Sequence, residues 1–290
     1  MINFSKFHTI RKKGKERGKM KLARFFAQHP VFTYKEFSDF LQSTGSSNKK
    51  SIWSLLNYHE NAANILRIRR GFYATVPKGS VQSMHHVNPY LVAGRITDDS
   101  VLSYHTALDL HGFAHSVFYR FYFFTYKSIS QFTFQDGSFQ ATKIPKSLII
   151  KKAKNFAVVD VNRNGLNIRV TTLERTLVDM LDRPEYAGGW EEIWSSFATV
   201  PLLNLEQITQ YALLLDNATT IAKVGFFLEA HREQFKVEER YLQQLEKRKP
   251  RQKHYLERSK RSTGKLIKRW NIIIPEAVIN RQWEEPNEIF

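Results

Sequence analysis

The 290-residue chain contains no cysteine, so disulfides and thiolate metal sites are excluded. Its composition fits a reducing compartment. No apolar run approaches the ~20 residues of a membrane span. The opening "MINFSKFHTIRKKGKERGK" lacks the apolar centre of a signal peptide. The expectation is a cytoplasmic protein that does not enter a membrane. Acids are scarce where bases are dense. Residues 1–80 hold 16 lysines and arginines against four acids, a net +12, and residues 231–270 hold 14 against five, a net +9. Between them, residues 81–230 balance at −1, and the last twenty carry −3. A total of +17, gathered into two basic regions around a neutral middle, suits a polyanionic partner. Nucleic acid comes ahead of an anionic membrane surface.

What is present reads as an ordinary globular chain, 42% hydrophobic and 24% charged, long enough for roughly two domains. Residues 1–15 are a basic arm without apolar periodicity. "MKLARFFAQHP" places Met20, Leu22, Ala23, Phe25 and Phe26 on an amphipathic helix ending at Pro30. In "TYKEFSDFL", Thr33 and Glu36 have capping-box spacing, with Phe37, Phe40 and Leu41 as the apolar face. A third helix is expected from near Ser47 to Ala62. "ILRIRRGFYATV" then alternates Leu66 and Ile68 with Arg67 and Arg69, turns at Arg70-Gly71, and returns as a second strand. Three helices followed by a hairpin make a winged helix-turn-helix over residues 16–80, closed by the punctuation of Pro77 to Ser80.

The remainder, 81–290, reads as a larger mixed α/β domain, so the fold class is α+β. "SVLSYHTALDLHG" is helical with Gly112 as its cap. "SVFYRFYFFTYKS" is β-prone, and its aromatics suit a sheet core better than a base-stacking platform. Asp136-Gly137 and "RNG" mark hairpins. Thr171 and Glu174 have capping-box spacing ahead of an inward face of Leu173, Leu177, Val178 and Leu181. Residues 191–246 look mostly helical, 247–269 are basic, and "WNIIIPEAV" is a short buried strand.

The third helix carries the functional signal. At about 100° per residue, Leu55, Leu56 and His59 fall within about 60° of Ile52 and define the buried stripe. The opposite side holds Ser47, Lys50, Ser54, Asn57 and Asn61, all polar and none acidic. Such side chains approach base edges and phosphates in a major groove. Arginines at a wing tip clamp phosphates or enter a minor groove. The candidate DNA contacts are therefore Ser47, Lys49, Lys50, Ser54, Asn57, Arg67, Arg69 and Arg70, and the expected partner is double-stranded DNA.

Other constellations read as structural. Glu174, Asp179 and Asp182 pair with no nucleophile or base. His85, His86, His105, His111 and His115 match no metal-ligand spacing. Ser103, His105 and Asp109 share one helix, which does not make a triad. Gly188-Gly189 suits a tight turn, since no phosphate-binding loop pattern surrounds it. The basic segment 247–269 stays open between a solvated charge run and a second DNA contact. No catalytic residue, cofactor or metal is expected.

Several segments resemble the AbiEi family of antitoxins and repressors from type IV toxin–antitoxin, or phage-abortive-infection, systems. These are "LRIRRGFYATV", "NPYLVAGRI" with "SVLSYHTALDLHGF", and above all "VTTLERTLVDMLDRPEYAGGWEEI"; "VGFFLEAH" and "RWNIIIP" match more weakly. The resemblance spans roughly residues 20 to 280. The arm and segment 247–269 are more basic than the family pattern. The resemblance implies an autorepressor that reads inverted repeats in its own promoter, as a monomer or as a dimer formed on DNA. It also implies an antitoxin acting against a nucleotidyltransferase-like toxin. The alternative is a DNA-binding nuclease, or another defence enzyme, with catalysis in the C-terminal domain.

Overall fold

The computed structural model describes residues 20–44, 49–256 and 264–283. The arm 1–15 and the middle of the basic segment lie outside them. The chain divides into two compact units. The first runs to Asp98 and includes Val161–Ile168; the second comprises Asp99–Asp160 and the chain from Arg169 onward. The first unit thus continues past the punctuation at Pro77 to Ser80.

In the first unit, helix α1 covers residues 20–28. Strand β1 (Val31–Thr33), helix α2 (Tyr34–Ser43), helix α3 (Lys49–Asn61), strands β2 (Ile65–Arg69) and β3 (Phe72–Thr75) and helix α4 (Pro89–Arg95) follow. The expected capping box is present. The Thr33 amide donates to Glu36 Oε2 at 2.7 Å, and the Glu36 amide donates to Thr33 Oγ1 at 3.2 Å. Glu36 also pairs with Arg95 of α4. Phe25, Phe32, Phe37, Leu41, Ile52, Leu56, Ile65 and Tyr73 form one core. Met20, expected on the inward face of α1, is exposed.

The expected two-stranded wing is a three-stranded sheet of order β1-β3-β2, since β1 pairs antiparallel with β3. The expected alternation of β2 also differs. Its register shifts between Arg67 and Arg69, so Ile68 bulges and is buried, together with Ile65. A bulge inserts one unpaired residue and bends the strand. Here it changes the inward period from two to three.

The second unit holds a six-stranded mixed sheet of order β6-β7-β5-β4-β9-β8. Its strands are β4 (Val101–Leu102), β5 (Arg120–Phe124), β6 (Phe132–Phe134), β7 (Gly137–Thr142), β8 (Val158–Arg163) and β9 (Leu166–Thr171). The outer end of the β8–β9 hairpin is the stretch that belongs to the first unit. Strand β4 runs parallel to β9 and antiparallel to β5, while β5 runs parallel to β7. The aromatic run lies in β5, and Phe121 to Phe124 are buried as sheet core. The helices of this unit are α5 (Tyr104–Leu110), α6 (Lys146–Ile150), α7 (Leu173–Asp182), α8 (Trp190–Ala198), α9 (Leu205–Leu215), α10 (Ala218–Ala230) and α11 (Glu239–Glu246). Helix α5 packs on β5 and on α7, and α7 in turn on α8, α9 and α10. A smaller sheet of order β10-β12-β11 comprises β10 (His254–Tyr255), β11 (Gly264–Ile267) and β12 (Ile272–Pro275), and helix α12 (Glu276–Ile279) follows.

Two local expectations fare differently. Helix α5 ends at Gly112 as expected. The Phe113 amide reaches Leu108 O at 3.2 Å and the Gly112 amide reaches Asp109 O at 2.9 Å, the hydrogen-bond pair of a Schellman cap. At α7, however, the cap is Thr172, whose side chain accepts from the Arg175 amide. Thr171 still belongs to β9, and its hydroxyl bonds Thr176 at 2.7 Å. Glu174 accepts from the Asn204 amide instead of closing a capping box.

Candidate nucleic-acid interface

Helix α3 presents the two faces that its pattern predicts. Ile52 and Leu56 are buried, and Leu55 packs partly buried against the same core. His59 is half-buried, with its ring edge-on to Phe26 at 5.0 Å. Burial lowers the His59 pKa from its ordinary 6.5, so it adds no charge here at neutral pH. Lys50, Ser54, Asn57 and Asn61 are exposed together on the opposite face. Ser47 and the side chain of Lys49 lie outside the described residues. The helix's one acid, Glu60, is half-buried on its flank.

The wing is held against α2. The Tyr34 amide, in the first turn of α2, donates to Gly71 O at 2.7 Å. Gly71 has φ +77°, a conformation that glycine adopts without steric cost. On this turn Arg67 and Arg70 are exposed, while Arg69 is half-buried. Two of the three wing arginines therefore stand in solvent, and the bulge draws the third inward.

Two further exposed side chains border the polar face of α3. Trp53 is 36% exposed and Tyr58 63%. The sequence did carry a signal for them, because both are aromatic residues off the buried stripe.

The basic segment of the second unit is only partly available to a partner. Arg269 pairs with Glu229, Glu239 and Glu246. Burial alone would lower its pKa, but its hydrogen bonds to Glu239 and Glu229 outweigh this and raise it. Lys249 donates to Glu246 Oε1 at 3.2 Å and to Arg269 O at 2.6 Å. Lys247, Arg248, Arg251, Lys253, Lys265 and Lys268 are exposed. A cleft of about 480 Å³ is lined by Lys151, Leu213, Asp216, Gln244, Lys247 and Arg248. Lys151 closes α6 and Lys247 closes α11. Cations at such positions offset the carbonyl ends of helices.

The acids and histidines of the second unit carry the fold. Arg175, in the Glu-Arg-Thr motif, is 1% exposed. It reaches Asp179 Oδ2 at 3.4 Å and the carbonyls of Lys154 and Phe156 at 3.0 and 2.7 Å. The rings of Phe124 and Tyr211 flank its guanidinium at 5.4 and 5.0 Å. The Tyr211 hydroxyl donates to Asp179 Oδ1 at 2.6 Å. Burial pushes the Asp179 carboxyl up to about 6, against the downward pull of Arg175 and Tyr211. Asp182 accepts from Asn217 and Thr220.

Glu192 Oε1 accepts four bonds of 3.0–3.1 Å, from the amides of His115 and Ser116, the Ser196 hydroxyl and His105 Nε2. Burial raises its pKa, but the bonds from His105 and Ser116 outweigh that and bring it to about 2. His111 Nε2 bonds Thr171 O at 2.8 Å. The segment 170–193 therefore ties this unit together. Among the described residues, no group of three or more His, Asp or Glu is placed to hold a metal ion. Among them, too, no helix is long and apolar enough to cross a membrane.

The fold is similar to that in the crystal structure of the RV2827C protein from Mycobacterium tuberculosis. The TM-score is 0.59 at 13% identity, covering 92% of this chain and 94% of that one. At such identity the likeness is one of fold. No family model matches the sequence, and no curated protein matches it.

Proposed function

We propose that this chain is a sequence-specific, duplex-DNA-binding transcriptional repressor that doubles as an antitoxin, in the manner of the AbiEi family. One observation carries the DNA reading. The exposed face of α3 is polar and acid-free, and it belongs to the same small domain as a wing with Arg67 and Arg70 in solvent. Over residues 1–80, the net +12 supplies sequence-independent attraction to phosphates. Asn57, Ser54 and Lys50 supply groups that read base edges. Inverted repeats in the promoter would engage two copies, either as monomers binding together or as a dimer formed on DNA.

The antitoxin half rests on the resemblance, with a nucleotidyltransferase-like toxin as the partner to be neutralised. The chain is proposed to act without catalysis of its own. The acids of the Glu-Arg-Thr helix support this, since Glu174, Asp179 and Asp182 are engaged with Asn204, Arg175, Tyr211, Asn217 and Thr220.

The test is a reporter driven by the promoter upstream of the chain's own coding sequence, with the chain supplied in trans. Repression that Lys50→Glu and Arg67→Glu abolish is expected. Unchanged expression with the wild-type chain would reject the repressor. Co-expression with a neighbouring nucleotidyltransferase-like gene tests the antitoxin separately, with restored growth as the expected result.

A further inference from the structure

Single exposed aromatics are ordinary on a protein surface. Trp53 is set apart by its position beside the polar face of α3 and by how it is held. Trp53 lies one helical turn before Asn57, so their side chains are neighbours on the surface. Its indole stacks on the Tyr34 ring, with centroids 5.0 Å apart and planes at 26°. Tyr34 is the same residue whose amide holds Gly71 of the wing. The indole is thus held on one side and open on the other. A side chain already fixed in place loses little further entropy on binding. Tyr58 borders the opposite edge of the face, its ring edge-on to His59 at 5.1 Å.

We infer that Trp53 and Asn57 together read an A·T-containing step in the major groove. Asn57 takes adenine through N6 and N7, and Trp53 lies against a thymine 5-methyl group. These are the base-edge partners suited to an amide and to an apolar surface. The occupant is duplex DNA because the exposed outer face carries Lys50, Ser54 and Asn61 and no acid, the helix's one acid, Glu60, lying half-buried on the flank. The inference rests on the DNA-binding reading above and specifies what that face recognises.

The test uses the full chain. A duplex is first selected from a random 30-base-pair pool. Binding is then measured by fluorescence anisotropy, with each thymine replaced in turn by uracil, which lacks only the methyl group. At one thymine per half-site, the exchange is expected to weaken wild-type binding about fourfold, the worth of one buried methyl. Trp53→Ala should bind the thymine duplex more weakly by at least that factor and be indifferent to the exchange. The exchange is made on the DNA, so the wild-type arm does not depend on how the variant folds. Wild-type indifference at every thymine, or a Trp53→Ala protein that still feels the exchange, would overturn the inference while leaving DNA binding intact. Failure of any sequence to enrich would remove the DNA reading and this inference with it.

Discussion

Glu192→Gln separates charge from shape at the point where the second unit is tied together. All four of the bonds described converge on Oε1, and the amide keeps an oxygen there. What the substitution removes is the charge. A carboxyl whose pKa falls from 4.5 to about 2 on folding contributes about 3 kcal/mol at neutral pH. The folded pKa lies below the unfolded one, so this stability is present above pH 4.5 and is lost as pH falls toward 2. Glu192→Gln should therefore be destabilised by about 2–3 kcal/mol at pH 7, with a deficit that shrinks below pH 4.5. Urea unfolding at pH 7, 5, 4 and 3, followed by tryptophan fluorescence, measures both. Trp190, Trp194 and Trp270 report on this unit. A deficit that stays constant from pH 7 to pH 3 would refute the charge argument, and so would the lack of any deficit at pH 7.

Arg175→Met strands the Asp179 carboxylate in the core and should cost about 3–5 kcal/mol, whereas Arg175→Met with Asp179→Leu should recover much of it; thermal unfolding of the two variants decides. Gly225→Ala places a methyl 2.3 Å from the Trp270 ring, so it should cost at least about 1–3 kcal/mol through overpacking, read from the urea midpoint. Arg67→Gln should weaken binding to all duplexes alike and reduce the slope of log K against log salt by about one; an unchanged slope would place Arg67 away from phosphate.

Local features were legible. The inward stripe of α3, the Thr33–Glu36 box, the Gly112 cap and the hairpin after Phe134, whose turn falls one residue early at Gln135-Asp136 because Gly137 already pairs in β7, each depend on residues a few positions apart. Features set by distant partners were not. Strand β1 is three residues long, too short to show a period, and is a strand because β3 pairs with it. The Ile68 bulge arises in the pairing of β2 with the same strand β3. Thr171 has the spacing of a cap, but β9 claims it and moves the cap to Thr172. Arg175 and Glu192 look like surface charges in sequence. Both are buried because residues as far away as Lys154, Tyr211 and His105 supply their partners. Of the candidate interface, residue types and face were readable in the helix, whereas the half-burial of Arg69 and the stacking of Trp53 on Tyr34 required the packed domain.

The central claim is that the winged helix binds a specific duplex. Its most direct test is a mobility shift on the DNA upstream of the chain's own coding sequence, at two salt concentrations, with an excess of unrelated duplex. A discrete complex that survives the competitor and is lost with Lys50→Glu is expected. A smear that disappears at moderate salt, or a complex indifferent to Lys50→Glu, would contradict the claim: the charge would then be non-specific attraction alone.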